Sequence, residues 1–598
     1  MASTLHGPVG GGPWEAVLAI RPPGPPFVEV GHRPEGWPPP EPTRAERRAG
    51  FIPFLRPNPS DFRPWSRPKE GERAYLLKAF AALGEVEPLW VGIYALDNLK
   101  GVRAEVGGLK GPGRIPAENI ALRVLRFWPQ MAGWRSKAYR IVPELLPPLA
   151  PFDLPEGATA VLWLTIKVPE RSRPGRYVGW LRVWAEGRPP LRLRLEMRVL
   201  PFRLERPPKR WLLYADLLPP WRPTDKMPDS GIRADLRDMR EHGVDGLVDF
   251  VRGRWEFKGG REVSFEVDEL SGRIWGLVRE EGFRGPFVFS INPLEEALKA
   301  LSVPPPGPER RWPRPLLSAV KEAYKAVREA LSRWGMRWLL YAADEPQSGD
   351  LKALQLYECA KKAGLLTFVT LNSPEFAREA DRWIDVRCYN IRLLCRDEEG
   401  WRRLVGEVRR AGDRLWLYGS GSYPGQEGEM AENRYLAGFL FWKSGAEAMV
   451  SWTYQRTFGK DPYDEFSEGK FACLTYPDFG NRPDWSTYRG PIPTIQWEGL
   501  REGIDDACYV YTLLRYIERA KRKGKGRAAR EAEEELRLIL EALPWVGEFS
   551  ERPLSNEDLN KMRWALAVAI EELHSLLEEG KVRFRPGLSP SAVPVRLS

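Results

Sequence analysis

Between about Lys209 and Lys521 the chain repeats one theme, a short apolar run followed by a stretch of helical periodicity, and it does so eight times. The runs are WLLYAD (211–216), DGLVDF (245–250), FVFSIN (287–292), RWLLYAADEP (337–346), LLTFVTLN (365–372), WIDVRCYN (383–390), RLWLYGSG (414–421) and AMVSWTYQ (448–455). Short buried strands alternating with helices specify a parallel sheet, and eight is the number that closes it into a (β/α)8 barrel. The connecting helices are legible as well. Leu316, Val320, Tyr324, Val327 and Leu331 fall on one helical stripe, and Gly335 stops it just before the fourth run.

The flanking regions carry different periods. From about Arg73 to Leu204 the period is two, clearest in LRLRLEMRV, where Leu191, Leu193, Leu195, Met197 and Val199 alternate with charged residues. With VLWLTIKV (161–168), the turn signal Arg173–Gly175 and YVGWLRVW, this predicts an antiparallel β-sandwich. The Pro- and Gly-rich first seventy residues predict a surface wrap with few regular elements. After about Gly524 the chain is helical, and its last helix is opened by a Ser555–Asp558 capping box and closed at Gly580. The expected division is therefore 1–72 wrap, 73–208 β-sandwich, 209–523 barrel and 524–598 C-terminal helical region packed on the barrel.

Composition excludes several classes. The 91 basic and 81 acidic residues alternate in sign along most of the chain, with no basic block, so no nucleic-acid partner is expected. Neither a leader-like start nor an apolar run of about 18 residues is present, so the chain reads as soluble, cytoplasmic as given and with no membrane partner, secretion staying open as the alternative. The five cysteines form no CxxC pair and read as reduced core residues. The four histidines have no HxH or HExxH spacing and stand far from the predicted barrel mouth, so no metal, no cofactor and no His-based triad is expected. Abundant Pro and Arg, with 29 % charged residues, resemble the stiff loops and ion-paired surface of a heat-adapted, thermophilic protein.

The fourth run ends in two adjacent acids, Asp344 and Glu345, followed by Pro346. At the C-terminal end of a barrel strand they stand where this architecture builds active sites. Burying two unpaired carboxylates costs several kcal/mol, so they are expected to project toward water or a ligand. Side by side, each raises the cost of ionising the other, which suits an acid that must carry a proton near neutral pH. The bland alternative is a turn with Asp344 as a helix cap. The same rim carries Tyr214, Asp216, Asn292, Asn372, Tyr389, Asn390, Trp416, Tyr418, Trp452 and Tyr454. Aromatic faces and amides suit a sugar ring. Trp338, Trp383 and Trp442 fall inside predicted elements and read as core.

A retaining glycosidase with a protein nucleophile needs two carboxylates roughly 5 to 5.5 Å apart on opposite sides of the bond. Here the seventh run offers no acid before Glu427, and neighbours in sequence do not flank one bond easily. The pair fits substrate assistance better. Glu345 would protonate the leaving oxygen and later serve as base, while Asp344 would orient a substrate N-acetyl group whose carbonyl oxygen attacks the anomeric carbon.

YAADEP, together with GEVEPLWVGIYALDNLKGV, IPAENIALRVLRFWPQ, LWLTIKVPERSRPGRYVGWLRV and GPIPTIQWEGLREGIDDACYVYTLL, resembles glycoside hydrolase family 123 and its relatives over roughly residues 75 to 515. The resemblance implies a sandwich before a (β/α)8 barrel, β-N-acetylgalactosaminidase activity, and an adjacent Asp-Glu pair matching Asp344 and Glu345. It also implies aromatic residues around the sugar and its acetyl group at Trp416 and Trp452, with Tyr389 as a candidate donor to the acetyl carbonyl. The late motif departs at Gln496, where relatives often carry Arg, while Glu498, Arg501 and Asp505 remain.

The expectation is an exo-acting hydrolase releasing terminal β-linked N-acetylgalactosamine from a glycan or small glycoside, with Asn372, Tyr389, Trp416, Tyr418, Trp452 and Tyr454 around the sugar. Two alternatives stay open: an enzyme for the 4-epimer N-acetylglucosamine or a broader hexosaminidase, and a barrel that binds glycans without cleaving them.

Overall fold

The computed structural model describes residues 35–578 apart from 134–135, 137, 259–261, 308–309, 424, 458–461, 464–472 and 481–483. Residues 1–34 of the expected N-terminal wrap, and the helix stop at Gly580, lie outside the described residues.

All eight apolar runs are strands of one closed parallel barrel: Arg210–Tyr214, Gly246–Phe250, Phe287–Ser290, Trp338–Tyr341, Thr367–Leu371, Val386–Asn390, Arg414–Gly421 and Ala448–Trp452. Alternation along each strand fills the interior with Leu212, Val248, Val288, Leu339, Phe368, Val386, Trp416 and Ala448, while Tyr214, Tyr341, Cys388, Tyr418 and Val450 stand one step nearer the C-terminal mouth. The opposite parity faces the surrounding helices. In the helix Arg314–Ser332 the predicted stripe from Leu316 to Leu331 is buried, and Gly335, at φ +64°, turns the chain into strand four.

The sandwich has two sheets. One orders Phe51–Phe54, Val86–Ala95, Thr159–Lys167, Ile120–Met131 and Tyr139–Leu145; the other orders Leu76–Ala81, Leu191–Val199, Gly175–Trp184, Leu99–Val106 and Phe152–Leu154. Leu162 and Leu164 of the first sheet and Leu193 and Leu195 of the second belong to the core between them. Val161 and Trp163 face the other way, into a cluster that includes Met430 and Ile495 from the barrel side. A sheet covered on both faces explains why VLWLTIKV opens on the unbroken apolar run Val161, Leu162, Trp163 and Leu164 while LRLRLEMRV alternates. Phe51–Phe54 is an edge strand within the stretch that composition marks as a wrap. One pair, Leu76–Ala81 with Leu191–Val199, runs parallel in an otherwise antiparallel arrangement.

The C-terminal region ties the two halves together. The helix Asn556–Glu578, opened by Ser555 and Asp558 bonded to each other's backbone N–H at 3.2 and 3.0 Å, packs on Ile495–Arg522 and sends the fully buried Arg563 into a cluster of acids. Its guanidinium meets Glu502 at 2.7 Å, Asp506 at 2.5 Å, and Glu87 and Glu85 of the sandwich at 3.3 and 3.5 Å. Arg434, beyond strand seven, grips Asp506 at 2.7 Å. Burial pushes Glu85 up to about 7 against the pull of Arg563. Among the described residues no helix is long and apolar enough to cross a membrane.

Candidate active site at the barrel mouth

Strand four ends at Tyr341, and three residues later the chain presents Asp344, exposed, and Glu345, half-buried. Tyr357, on the helix Leu351–Lys362, fixes this turn from behind, its hydroxyl within 3.1 Å of the Ala343 carbonyl and 2.9 Å of the Phe368 carbonyl. Glu345 adopts φ +44°, the left-handed region that a residue with a side chain enters at a cost of about 1 kcal/mol or more. That backbone turn sends the two adjacent side chains to different partners.

Asp344 Oδ1 accepts from Tyr341 and, at 3.2 Å, from Thr370 of strand five; neither bond uses Oδ2. Thr370 Oγ1 also accepts the Glu345 N–H at 3.1 Å, so one hydroxyl ties both acids to strand five. Glu345 accepts on both oxygens: Tyr418 of strand seven donates to Oε1, and Asn372 Nδ2 donates to Oε2 at 2.5 Å. Asn390 of strand six donates to Asn372 Oδ1 at 2.9 Å, which sets the direction of the Asn372 amide. The Tyr418 hydroxyl lies 2.8 Å from the same Oδ1, so its single proton has two acceptors within reach. Burial and then the neighbouring Glu345 carboxylate push the Tyr418 hydroxyl far above its usual range. Burial does the same to Tyr341, with the charge of Asp344 adding to it.

The opposite side of the mouth is aromatic and cationic. Trp452, ending strand eight, leans on Tyr423 with ring centres 5.2 Å apart, and Arg392 lies over Tyr423 at 5.5 Å. Arg456 lies over both Trp452, at 5.3 Å, and Trp221, at 4.3 Å. Other carboxylates of this region are engaged. Asp216 is held by Arg456 at 2.7 Å and by Thr453. Asp249 accepts the backbone N–H groups of Leu217 and Phe250 at 2.6 and 2.7 Å, and burial, then the charge of Asp216, pushes it up to about 7. Glu432 pairs with Arg392, and Glu427 is buried beside Arg140.

Of the expected sugar contacts, Asn372, Tyr418 and Trp452 come together with the acids at the mouth. Three others do not, for three different reasons: parity, depth and a place past the strand end. Tyr389 follows the inward-facing Cys388 and points out among the helices, its hydroxyl next to Arg387. Trp416 faces inward but one layer down, fully buried against Phe368 at 5.6 Å, as filling rather than platform. Tyr454 stands past the strand end, donates to Asp238 at 2.9 Å and meets the edge of Trp497, away from the mouth. Conversely, Tyr341, Thr370, Tyr423, Arg392, Arg456 and Trp221 went unread as site residues. For Tyr341 and Thr370 the signal exists, since they share the inward parity of Leu339 and Phe368 on their own strands.

Gln496 is not at the mouth. It donates to Glu144 of the sandwich at 2.9 Å and accepts the Gly428 N–H at 3.1 Å, joining sandwich and barrel. Glu498 and Arg501 pair at 2.5 Å beside His242, which is stacked on Trp497.

A closed eight-stranded barrel with paired acids at its C-terminal mouth, carried behind a two-sheet sandwich, defines the class of fold: a (β/α)8 barrel whose strand ends present the polar groups. No protein-family model matches the chain, and no curated protein matches it. Among solved structures, it is similar to a family 123 glycoside hydrolase from Clostridium perfringens studied for glycolipid glycan hydrolysis, with a TM-score of 0.64 and 14 % identity, covering 84 % of this chain and 95 % of that one. It is also similar to a Bacteroides ovatus GH5 xyloglucanase, with a TM-score of 0.29 and 7 % identity, covering 72 % of this chain and 98 % of that one. At 14 % identity the first likeness shows that the chain has the fold of that hydrolase.

Proposed function

We propose that the chain is an exo-acting glycoside hydrolase that releases terminal β-linked N-acetylgalactosamine by substrate-assisted, retaining hydrolysis. The observation that carries this reading is the engagement of Asp216, Asp249, Glu427 and Glu432 by other groups, so that among the described residues the adjacent Asp344 and Glu345 are the acids presented at the mouth. With no further carboxylate poised for attack among the described residues, the substrate's own acetamido oxygen supplies the nucleophile. The fold shared with a hydrolase of glycolipid glycans supports the same substrate class.

Asp344, fixed through Oδ1, accepts the acetamido N–H on Oδ2 and stabilises the positive charge of the oxazolinium ring as the anomeric C–O bond breaks. Glu345 delivers a proton to the departing oxygen. In the free site both its oxygens accept hydrogen bonds, so carrying a proton requires one contact to give way; Tyr418 can turn its proton to Asn372 Oδ1. In the second step Glu345 takes a proton from water, which opens the ring with net retention. Trp452 and Tyr423 offer flat faces to the sugar and its acetyl group.

Aryl glycosides test this directly. Glu345→Gln is expected to lower kcat by at least about a hundredfold and Asp344→Asn by a similar factor. The parent sugar lacking the 2-acetamido group should not turn over. Comparable rates on that sugar, or an unchanged rate in Glu345→Gln, overturn the mechanism. Faster release from the N-acetylglucosamine glycoside than from its 4-epimer overturns the sugar assignment alone.

A further inference from the structure

Charge that alternates along the sequence is gathered by the outer sheet of the sandwich onto one face. In Gly175–Trp184 and Leu191–Val199 the even-numbered positions share that face, and register sets Arg182 opposite Arg192 and Trp180 opposite Arg194. The next strand brings Lys78 beside Glu196. Arg176, Arg182, Arg192, Arg194, Arg198 and Lys78 thus cover a single surface, whose own carboxylates are Glu105 and Glu196. Glu196 is shared by Arg176 and Arg194, at 3.0 and 2.8 Å, and hydrogen bonding to Arg176 holds it below the usual carboxylate range. Glu105 takes Arg182. Arg198 is also paired, to Glu571 of the last helix at 2.6 Å, and these three carboxylates cannot neutralise six cations. Amid this positive surplus Trp180 is 47 % exposed, a large indole that the described residues leave half open. Trp184 follows on the same face, half-buried, roughly 13 Å along the strand at about 3.3 Å per residue.

We propose that this face is a second, non-catalytic binding site for an acidic polysaccharide, with sugar rings stacked on Trp180 and the arginines paired to sulfate or carboxylate groups. Guanidinium forks suit both anions, and a neutral glycan would use only the indole. The affinity for a polyanion follows from the charge and the exposed ring alone. The choice of a glycan among polyanions rests on the proposed hydrolase function. The first sheet, not this one, packs toward the barrel, so the site stands away from the mouth and would hold the enzyme on a polymer while its ends are trimmed.

The full-length chain is titrated by calorimetry at low ionic strength with heparin, which carries sulfates and carboxylates but no β-linked N-acetylgalactosamine for the barrel to hold. Parallel titrations use neutral dextran, single-stranded DNA and phosphatidylserine vesicles. Heparin is expected to bind and dextran not to. Trp180→Ala should weaken heparin binding about tenfold, the equivalent of about 1.4 kcal/mol, and Arg192→Glu with Arg194→Glu should abolish it, both with unchanged melting temperature. No heparin binding, equal binding of dextran, tighter binding of DNA or vesicles, or indifference to Trp180→Ala each overturns the proposal. Because binding is read without turnover, its failure is distinct from failure of the hydrolase assignment.

Discussion

Tyr418 bears on the proposed role of Glu345, because its hydroxyl reaches both the Glu345 carboxylate and the Asn372 amide oxygen. Tyr418→Phe is expected to lower kcat about tenfold to a hundredfold with little change in KM, and to alter the limbs of the kcat–pH profile; an unchanged profile would remove Tyr418 from proton handling. The indoles separate in the same way. Trp416→Phe, within the barrel filling, should lower the melting temperature and leave KM alone, whereas Trp452→Ala should raise KM about tenfold at nearly unchanged stability. At this scale the sequence is a partial guide. Asp344 and Glu345 could be read because two acids cannot end a core strand unless they face something polar. Tyr389 and Trp416 were misread because their side-chain direction depends on parity and depth, which a rim inventory ignores.

At the level of elements, the eight strands could be read from apolar runs alone, since a parallel sheet covered on both faces writes itself as uninterrupted hydrophobicity. The loop after strand seven could not. Gly421 sits at φ +120°, and a Cβ there would fall 1.8 Å from the Trp452 carbonyl oxygen, while Ser422 N–H donates to that same oxygen at 2.5 Å. This close approach seats Trp452 at the mouth. Gly421→Ala is therefore expected to cost about 2 to 4 kcal/mol by chemical denaturation and to raise KM in the molecules that fold. Wild-type KM in that variant would mean that Trp452 finds its place without the loop. Arg456 and Trp221 escaped reading because a cation between two indoles is assembled from opposite ends of the barrel sequence, and no local pattern announces it.

Across the whole molecule, stability depends on buried charge. His242 is held up to about 9, burial opposing and Asp238 with Glu498 outweighing it, against a usual value of 6.5. A raised folded-state value means that its contribution is complete below about pH 6.5 and is lost as pH rises through about 9. Melting temperature should therefore fall across that window, and His242→Gln should flatten the fall; a parallel curve in the variant would exclude His242 as its source. Replacing Arg563 by Leu leaves Glu502, Asp506, Glu85 and Glu87 without their common cation and is expected to cost about 3 to 5 kcal/mol in urea unfolding. Periodicity predicts that the C-terminal helices pack on the barrel, but their tie to the sandwich is visible only once Arg563 is seen to reach Glu85 and Glu87.

Arg563 also fixes an order of events. Glu85 and Glu87 precede it by 478 and 476 residues, so a ribosome has made the sandwich and the entire barrel before their counter-ion exists. Until that last helix emerges, the acids of the junction are short of this cation, and a message truncated before it yields a chain whose two halves meet across carboxylates that Arg563 does not balance.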